Sequence, residues 1–236
     1  MKQITLVLFL ITISFIANAQ IWDYPTKPET EEWKKLENRK AKVDVCQIPE
    51  NVLQSISTND LMTLCLEYPL LYDVFAFENI NRGLNKLFND FNGIREFSKR
   101  KDAINCLKEK YLAEFRIFPN ILNSGSLLDG GNSILLISML EDLLSYSDFH
   151  TSSSTEEQKK VLAVLLFGYK EKLKYPEDFK GIGFTTNLFS RAHLIIKIVP
   201  TLAEKFEGEN SMVLFSGMAD ANLINTIDNL SYHLIK

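Results

Sequence analysis

The sequence predicts an all-α protein: an irregular stack of antiparallel helical hairpins, α-solenoid-like, with about 9–11 helices of ordinary length in a single all-helical domain over residues 20–236. Three observations carry this expectation. Apolar residues recur at three- and four-residue spacing along most of the chain, the mark of one buried helix face. Ser57 with Asp60 and Ser154 with Glu157 stand before two of these runs, where a hydroxyl can cap orphan backbone N–H groups and an acid favours the helix N-terminus. The runs close at Tyr68-Pro69, Phe118-Pro119 and Tyr175-Pro176, because proline cannot donate into a continuing helix and disfavours helical backbone in the residue before it. The prolines keep no fixed period, so irregular hairpins are expected in place of a named repeat.

At the N-terminus, Lys2, an apolar run from Ile4 to Ile16 and Ala17-Asn18-Ala19 read as a signal peptide, Met1 to Ala19, cleaved before Gln20. The run is shorter than the roughly 20 apolar residues that span a bilayer, and no cysteine follows to carry a lipid. The mature chain is therefore expected to be exported, periplasmic or secreted, with no transmembrane segment after cleavage. The formal charge is −4, and the leader contains one lysine and no acid. A nucleic-acid partner would call for a basic surplus, so none is expected. Cys46, Cys65 and Cys106 allow at most one internal disulfide; Cys65 and Cys106 lie on apolar helix faces, where a free cysteine behaves as a small hydrophobe.

After an aromatic arm, Thr26 with Glu29 is expected to cap a first helix, with Trp33, Leu36 and Val43 on its stripe and a solvated face of paired lysines and glutamates. Ile48-Pro49 opens a short helix with Val52, Leu53 and Ile56 inward. Ser57 then starts a helix carrying Leu61, Leu64, Cys65 and Tyr68. Pro69 is expected to open a second one, with Leu70, Leu71, Val74, Phe75 and Phe77 buried on nearly every side. Ile80, Leu84, Leu87, Phe88 and Phe91 form one helix face, ended by Asn92-Gly93.

A helix from Ile94 to Phe115 should bury Phe97, Ile104, Leu107, Tyr111 and Phe115. Its other face carries Arg95, Lys99, Arg100, Lys101, Lys108 and Lys110, the most basic surface in the chain. Glu96, Asp102, Glu109 and Glu114 dilute it, so it reads as a solvated face before an anionic-ligand patch. From Asn123 to Ser133, NSGSLLDGGNS reads as a turn-rich connection capped by Ser133. Its Asp129, Asn132 and Ser133 lack the regular spacing of a calcium loop.

Ser133 to Tyr146 reads as a buried helix whose Glu141 and Asp142 mark the wet side. Thr155 to Lys174 should bury Val161, Leu162, Leu165, Leu166, Tyr169 and Leu173. Ile195, Ile196, Ile198 and Val199 have strand propensity, yet no second such run exists to pair with them, so a helix from about Asn187 to Val199 is expected. Met212 to Gly217 and an Asp220 to Leu234 helix, with Leu223, Ile224, Ile227, Leu230 and Leu234 as its stripe, close the chain.

Chemistry-bearing residues are sparse. His150, His193 and His233 are the only histidines. Asp148 and His150 form the one close acid–histidine pair, and a hydrolase would use them with a nearby hydroxyl. The strained nucleophile turn and oxyanion hole that such chemistry needs are not announced. No HExxH or paired CxxC motif is present, so no metal and no cofactor are expected.

IWDYPTKPETEEWKKL, IPENVLQSISTNDLMTLCLEYPLLYDVFAF and FNGIREFSKRKDA resemble a group of uncharacterised exported bacterial proteins of unknown function. The resemblance covers roughly the first half of the mature chain and implies an exported, helical protein without naming an activity. Taken together, the leading expectation is a non-enzymatic protein-binding or interaction scaffold in the cell envelope or outside the cell, its partner another protein or envelope macromolecule. An envelope inhibitor or immunity-type protein and the Asp148/His150 hydrolase are the alternatives.

Overall fold

The computed structural model describes residues 22–78, 80–203 and 221–236. The leader Met1 to Ala19, its Ala19–Gln20 junction and the run Met212 to Gly217 lie outside the described residues. Among the described residues every regular element is helical. They are α1 (Glu31–Lys34), α2 (Arg39–Val45), α3 (Glu50–Ser55), α4 (Thr58–Leu66), α5 (Ile80–Asp90) and α6 (Asn92–Lys99). The longer helices follow: α7 (Ala103–Asn123), α8 (Leu127–Ser145), α9 (Thr155–Lys172), the short α10 (Pro176–Phe179), α11 (Ile182–Ile198) and α12 (Ala221–Leu234). Three 3₁₀ turns, Leu71–Ala76, Ser147–His150 and Pro200–Leu202, join them.

Several starts are where side-chain chemistry places them. Ser57 Oγ accepts from Asp60 N at 3.1 Å. Ser154 and Glu157 form a complete capping box, Ser154 N donating to Glu157 Oε2 at 2.7 Å and Glu157 N to Ser154 Oγ at 3.2 Å. The β-branched run near residue 196 is helical, and α11 starts at Ile182, five residues before the expected point.

Other boundaries differ, each for a local reason. Thr26 and Glu29 do not cap the first helix; Glu29 takes φ 73°, and Thr30 Oγ1 receives Trp33 N instead. The expected single helix breaks because the Asn38 side chain accepts from Ala41 N, a local alternative to continuing the helix. After Pro69 the chain forms a 3₁₀ turn, whose three-residue repeat turns Leu71 and Val74 inward together while Tyr72 and Ala76 stay exposed. It is not buried on nearly every side.

Asn92-Gly93 opens α6 and does not close α5. Its side chain is taken by a distant backbone, Ile48 N donating to Asn92 Oδ1 at 3.0 Å and Asn92 Nδ2 to Ile48 O at 2.7 Å. The Ile94 to Phe115 helix is two helices, because Arg100 donates to the α3-end carbonyls of Leu53 and Ile56 and pairs with Glu96, pulling the chain aside. Pro119 does not stop α7. Phe118 is fully buried against Tyr175 and Phe179, ring centroids 5.4 and 4.8 Å away, and this packing offsets the one hydrogen bond that proline removes. The turn-rich 123–133 stretch is mostly helix: Ser126, not Ser133, caps α8, its Oγ accepting from Asp129 N at 3.2 Å. Leu173 caps α9 from an exposed position, where an inward one was expected.

The hydrophobic core is one connected cluster running from Tyr24 to Ile227. Tyr24 brings the N-terminal arm into it, donating its hydroxyl to Leu64 O at 2.7 Å. Tyr68 stacks on Phe91 at 4.1 Å. In the C-terminal half α11 packs against α8, α9 and α12, and α7 packs against α8 and α9. Cys46 and Cys65 are buried free thiols and Cys106 a half-buried one; burial pushes the Cys46 thiol up to about 11.

The largest correction concerns Glu141 and Asp142, which are wholly buried and do not form a wet side. They lie where α11 crosses α8, and α9 supplies the compensating charge. Lys172 Nζ meets Glu141 Oε2 at 2.5 Å, both side chains at 0 % exposure, and also donates to the Gly183 carbonyl. Thr186 Oγ1 donates to Glu141 Oε2 at 2.9 Å. Tyr111 Oη and Asn187 Nδ2 donate to Glu141 Oε1 at 2.5 and 2.7 Å. Four donors converge on this one carboxyl, as many as its two oxygens can accept. Gly168 makes room: a Cβ there would overlap the Tyr111 hydroxyl.

Removing one member of such a pair strands a buried charge, which costs about 3–5 kcal/mol, whereas replacing both by apolar groups is often far cheaper. Lys172→Met is therefore expected to lower stability by about 3–5 kcal/mol in denaturant titrations, with Lys172→Met/Glu141→Leu recovering part of the loss. A double variant worse than the sum of its singles would contradict this account.

Candidate functional site

Asp148 and His150, the one acid–histidine pair in the sequence, are not brought together. Both sit in the 3₁₀ turn after α8, where the backbone turns them apart. Asp148 is exposed, and its Oδ1 receives the Ser147 hydroxyl at a long 3.4 Å. His150 is buried, with Nε2 2.7 Å from Leu144 O. A carbonyl only accepts, so Nε2 bears the proton and Nδ1 is the bare nitrogen, without a partner among the described residues. Burial pulls the His150 imidazole below its ordinary value, with the Leu144 carbonyl partly opposing. A neutral imidazole donating to a backbone carbonyl lacks the carboxylate that would orient a general base. Among the described residues no group of three or more His, Cys, Asp or Glu is arranged to hold a metal ion.

His193 lies nearby on α11, half-buried against the Phe189 ring at 5.9 Å. Burial lowers it to about 4, and the charge of Lys197 adds to the effect.

Among the described residues, two concave regions differ in chemistry. The first is a groove of about 670 Å³ between the Leu71–Ala76 turn, the C-terminal part of α7 and the first turns of α8. Tyr72, Ile117, Ile121 and Leu136 supply its apolar wall. Asp129, Glu114 and Ser133 are its polar points; Glu114 already holds Lys110 at 2.5 Å, while the buried Ser133 hydroxyl has no partner among the described residues. The same α7–α8 turn builds a second depression of about 460 Å³ with Leu122, Leu127, Ile134 and, at its edge, Asp178. No lysine or arginine lines either. Leu127 and Leu128 are 93 % and 73 % exposed, although both are large and apolar.

The second region is a cleft of about 500 Å³ where the α6–α7 junction meets the start of α9. It joins the basic face around Lys99 and Lys108 to the hydroxyl-rich Thr151–Ser153 segment. Its single carboxylate, Glu157, is held below the usual range by its Ser154 backbone and side-chain hydrogen bonds, with Lys160 and Lys108 contributing.

Sequence periodicity showed the basic face and the turn-rich stretch but neither concavity. Leu127 and Leu128 read as loop residues because Gly125, Gly130 and Gly131 surround them, and Lys160 lies 52 residues beyond Lys108. One signal was visible: two adjacent leucines next to an acid in an otherwise polar stretch, a pattern that core burial does not demand. No family model, curated protein or solved structure matches this chain.

A histidine whose folded value lies below its unfolded one holds fewer protons when folded. Its contribution is complete above about 6.5 and is lost as pH falls toward about 4, at up to roughly 1.4 kcal/mol per pH unit. His193→Gln removes that term. The stability of the variant relative to the parent is expected to rise steadily as pH is lowered from 6.5 to 4; a difference independent of pH would show that His193 ionises equally in both states.

Proposed function

We propose that the chain is an exported helical scaffold that binds another protein of the cell envelope or its surroundings through the groove at the α7–α8 turn. The observation that carries this reading is the pair of leucines, Leu127 and Leu128, left in solvent beside an apolar groove whose lining charges are all carboxylates. Exposed apolar surface of this kind, rimmed by polar groups, is what protein interfaces use. The partner that fits is an amphipathic segment with an apolar anchor for the Ile117–Leu136 wall and a lysine or arginine for Asp129. Tyr72, exposed at the rim, adds an aromatic of the kind enriched at interface centres.

Export by a cleaved leader, Met1 to Ala19, belongs to the same proposal, and so does a single domain over residues 20–236, supported by the connected core. Within the described residues no helix is long and apolar enough to cross a membrane, which agrees with a chain released after cleavage. The hairpins are proposed to stack in an irregular, solenoid-like way. The irregularity has a concrete source in α11, which packs heavily on both α8 and α9 and so interrupts strictly sequential stacking. An inhibitor or immunity-type role is one form of the same binding activity.

Affinity capture from native envelope and medium, done in parallel with the parent protein, Ile117→Arg/Leu127→Arg and a Lys101→Glu control, tests the groove. A stoichiometric protein partner is expected with the parent and the control. The double variant, melting as the parent does, is expected to bind it at least roughly thirtyfold more weakly, the equivalent of losing about 2 kcal/mol at a central anchor. Equal recovery by all three would remove the groove from the proposal. The mass of the exported protein is expected to match a chain beginning at Gln20; a mass including Met1 to Ala19 would remove cleavage from it.

A further inference from the structure

The cleft between the α6–α7 junction and the start of α9 gathers positive charge that the rest of the protein does not use. Lys99 and Lys101 come from the junction, Lys108 from α7 and Lys160 from α9. None of the four has an ion-pair partner among the described residues, in contrast to Lys110, Lys159 and Lys172, which are paired with Glu114, Glu156 and Glu141. Arg100, also on the wall, is committed to Glu96 and to the Leu53 and Ile56 carbonyls. It therefore fixes the wall's position and leaves the lysines to face the opening. The one carboxylate, Glu157, is hydrogen-bonded by Ser154 at its own helix cap, with Lys108 and Lys160 close enough to act on it electrostatically.

Such clustering runs against the chain's overall charge of −4. Four like charges lining one concavity repel one another, and the single carboxylate among them, Glu157, offsets only part of that. Scattered lysines on a solvated helix would avoid this. Here three sequence segments bring them together, and Asn105, Thr151 and Ser153 add uncharged donors to the same lining.

From this arrangement we infer that the cleft is a binding site for a small polyanion carrying two or more phosphate groups, held by Lys99, Lys101, Lys108 and Lys160 with the Thr151–Ser153 hydroxyls. Phosphate suits the lining better than a carboxylate does. Each group brings up to two negative charges and three acceptor oxygens, so two or three neutralise four ammonium groups within about 500 Å³. Lysine binds such groups as a point charge and needs no planar, two-point geometry. The phosphates can belong to a free ligand or to a lipid headgroup. This site is independent of the groove proposed for protein binding, since it shares none of its lining residues.

The test uses calorimetric titration of the purified protein with tripolyphosphate, and co-sedimentation with vesicles of equimolar phosphatidylcholine and phosphatidic acid, each at low and high sodium chloride. Tripolyphosphate is expected to bind at one site per chain, with an affinity that falls as salt rises. Lys108→Gln/Lys160→Gln, melting as the parent does without ligand, is expected to weaken it at least about tenfold. Lys99→Gln/Lys101→Gln gives a second, exposed pair should the first disturb folding. Binding to the soluble probe assigns a free ligand, and vesicle binding alone, lost in the same variants, assigns a headgroup. Failure of both probes at millimolar concentration, or binding that survives both pairs of substitutions, overturns the site.

Discussion

The C-terminal half of the fold depends on keeping one buried ion pair satisfied. Lys172 and Glu141 are both withdrawn from water, and the penalty for that is several kcal/mol per ion unless geometry and further hydrogen bonds compensate. The compensation comes from four helices at once. α8 presents the carboxylate, α9 the ammonium, α7 the Tyr111 hydroxyl, and α11 Thr186, Asn187 and the Gly183 carbonyl. A one-residue slip of any of these helices rotates its side chain by about 100° and leaves a buried charge short of a partner. An apolar core tolerates such slips far better, because Leu can replace Leu at small cost. The pair thus acts on register more than on net stability.

The same network extends outward through Arg191. Its Nε donates to Asn187 Oδ1 at 2.9 Å and its Nη1 to Asp228 Oδ1 at 2.6 Å, with Tyr169 beneath the guanidinium at 4.3 Å. This draws α12 onto α11 and brings in a second cation with its own carboxylate. Asp142 is the member left over. Burial, and then the charge of Glu141 beside it, push its carboxyl well above the ordinary range; Ser190 Oγ lies 3.5 Å from Oδ1, and Oδ2 has no partner among the described residues. This network therefore joins the Lys172–Glu141 and Arg191–Asp228 pairs to a carboxyl driven toward its neutral form, and burial disfavours the charged form of the His150 and His193 imidazoles nearby.

Local chemistry made much of the helix content legible, and three-dimensional partners decided the rest. Ser57, Ser154 and the apolar stripe of α12 acted as their spacing says they should, because a cap or an amphipathic face is settled within one or two turns. Asn92 and Arg100 misled, since their side chains serve the backbone of α3 and the segment before it, more than 40 residues earlier. Pro119 misled because its cost is local while the Phe118 packing that offsets it comes from residues 175 and 179. Glu141 was the deepest miss. A charged residue on a helix reads as a solvent marker unless its partner is known, and Lys172 lies 31 positions away. The basic face around Lys99 was visible as a stripe, but the cleft required Lys160 and the Thr151–Ser153 segment to fold against it.

α7 links these features. Tyr111, near its middle, is locked into the buried carboxylate, while Lys108 lines the basic cleft on one side and Ile117 the apolar groove on the other. Along a helix rising about 1.5 Å per residue, those two positions are separated by roughly 14 Å. The buried Tyr111–Glu141 hydrogen bond near its centre opposes displacement of the helix. Any ligand that shifts α7 at the cleft would have to break the Tyr111–Glu141 hydrogen bond to reach the groove, and the cost of stranding a buried polar group opposes that. The groove and the cleft are therefore held at a fixed separation along α7, and ligands at the two proposed sites are expected to bind independently.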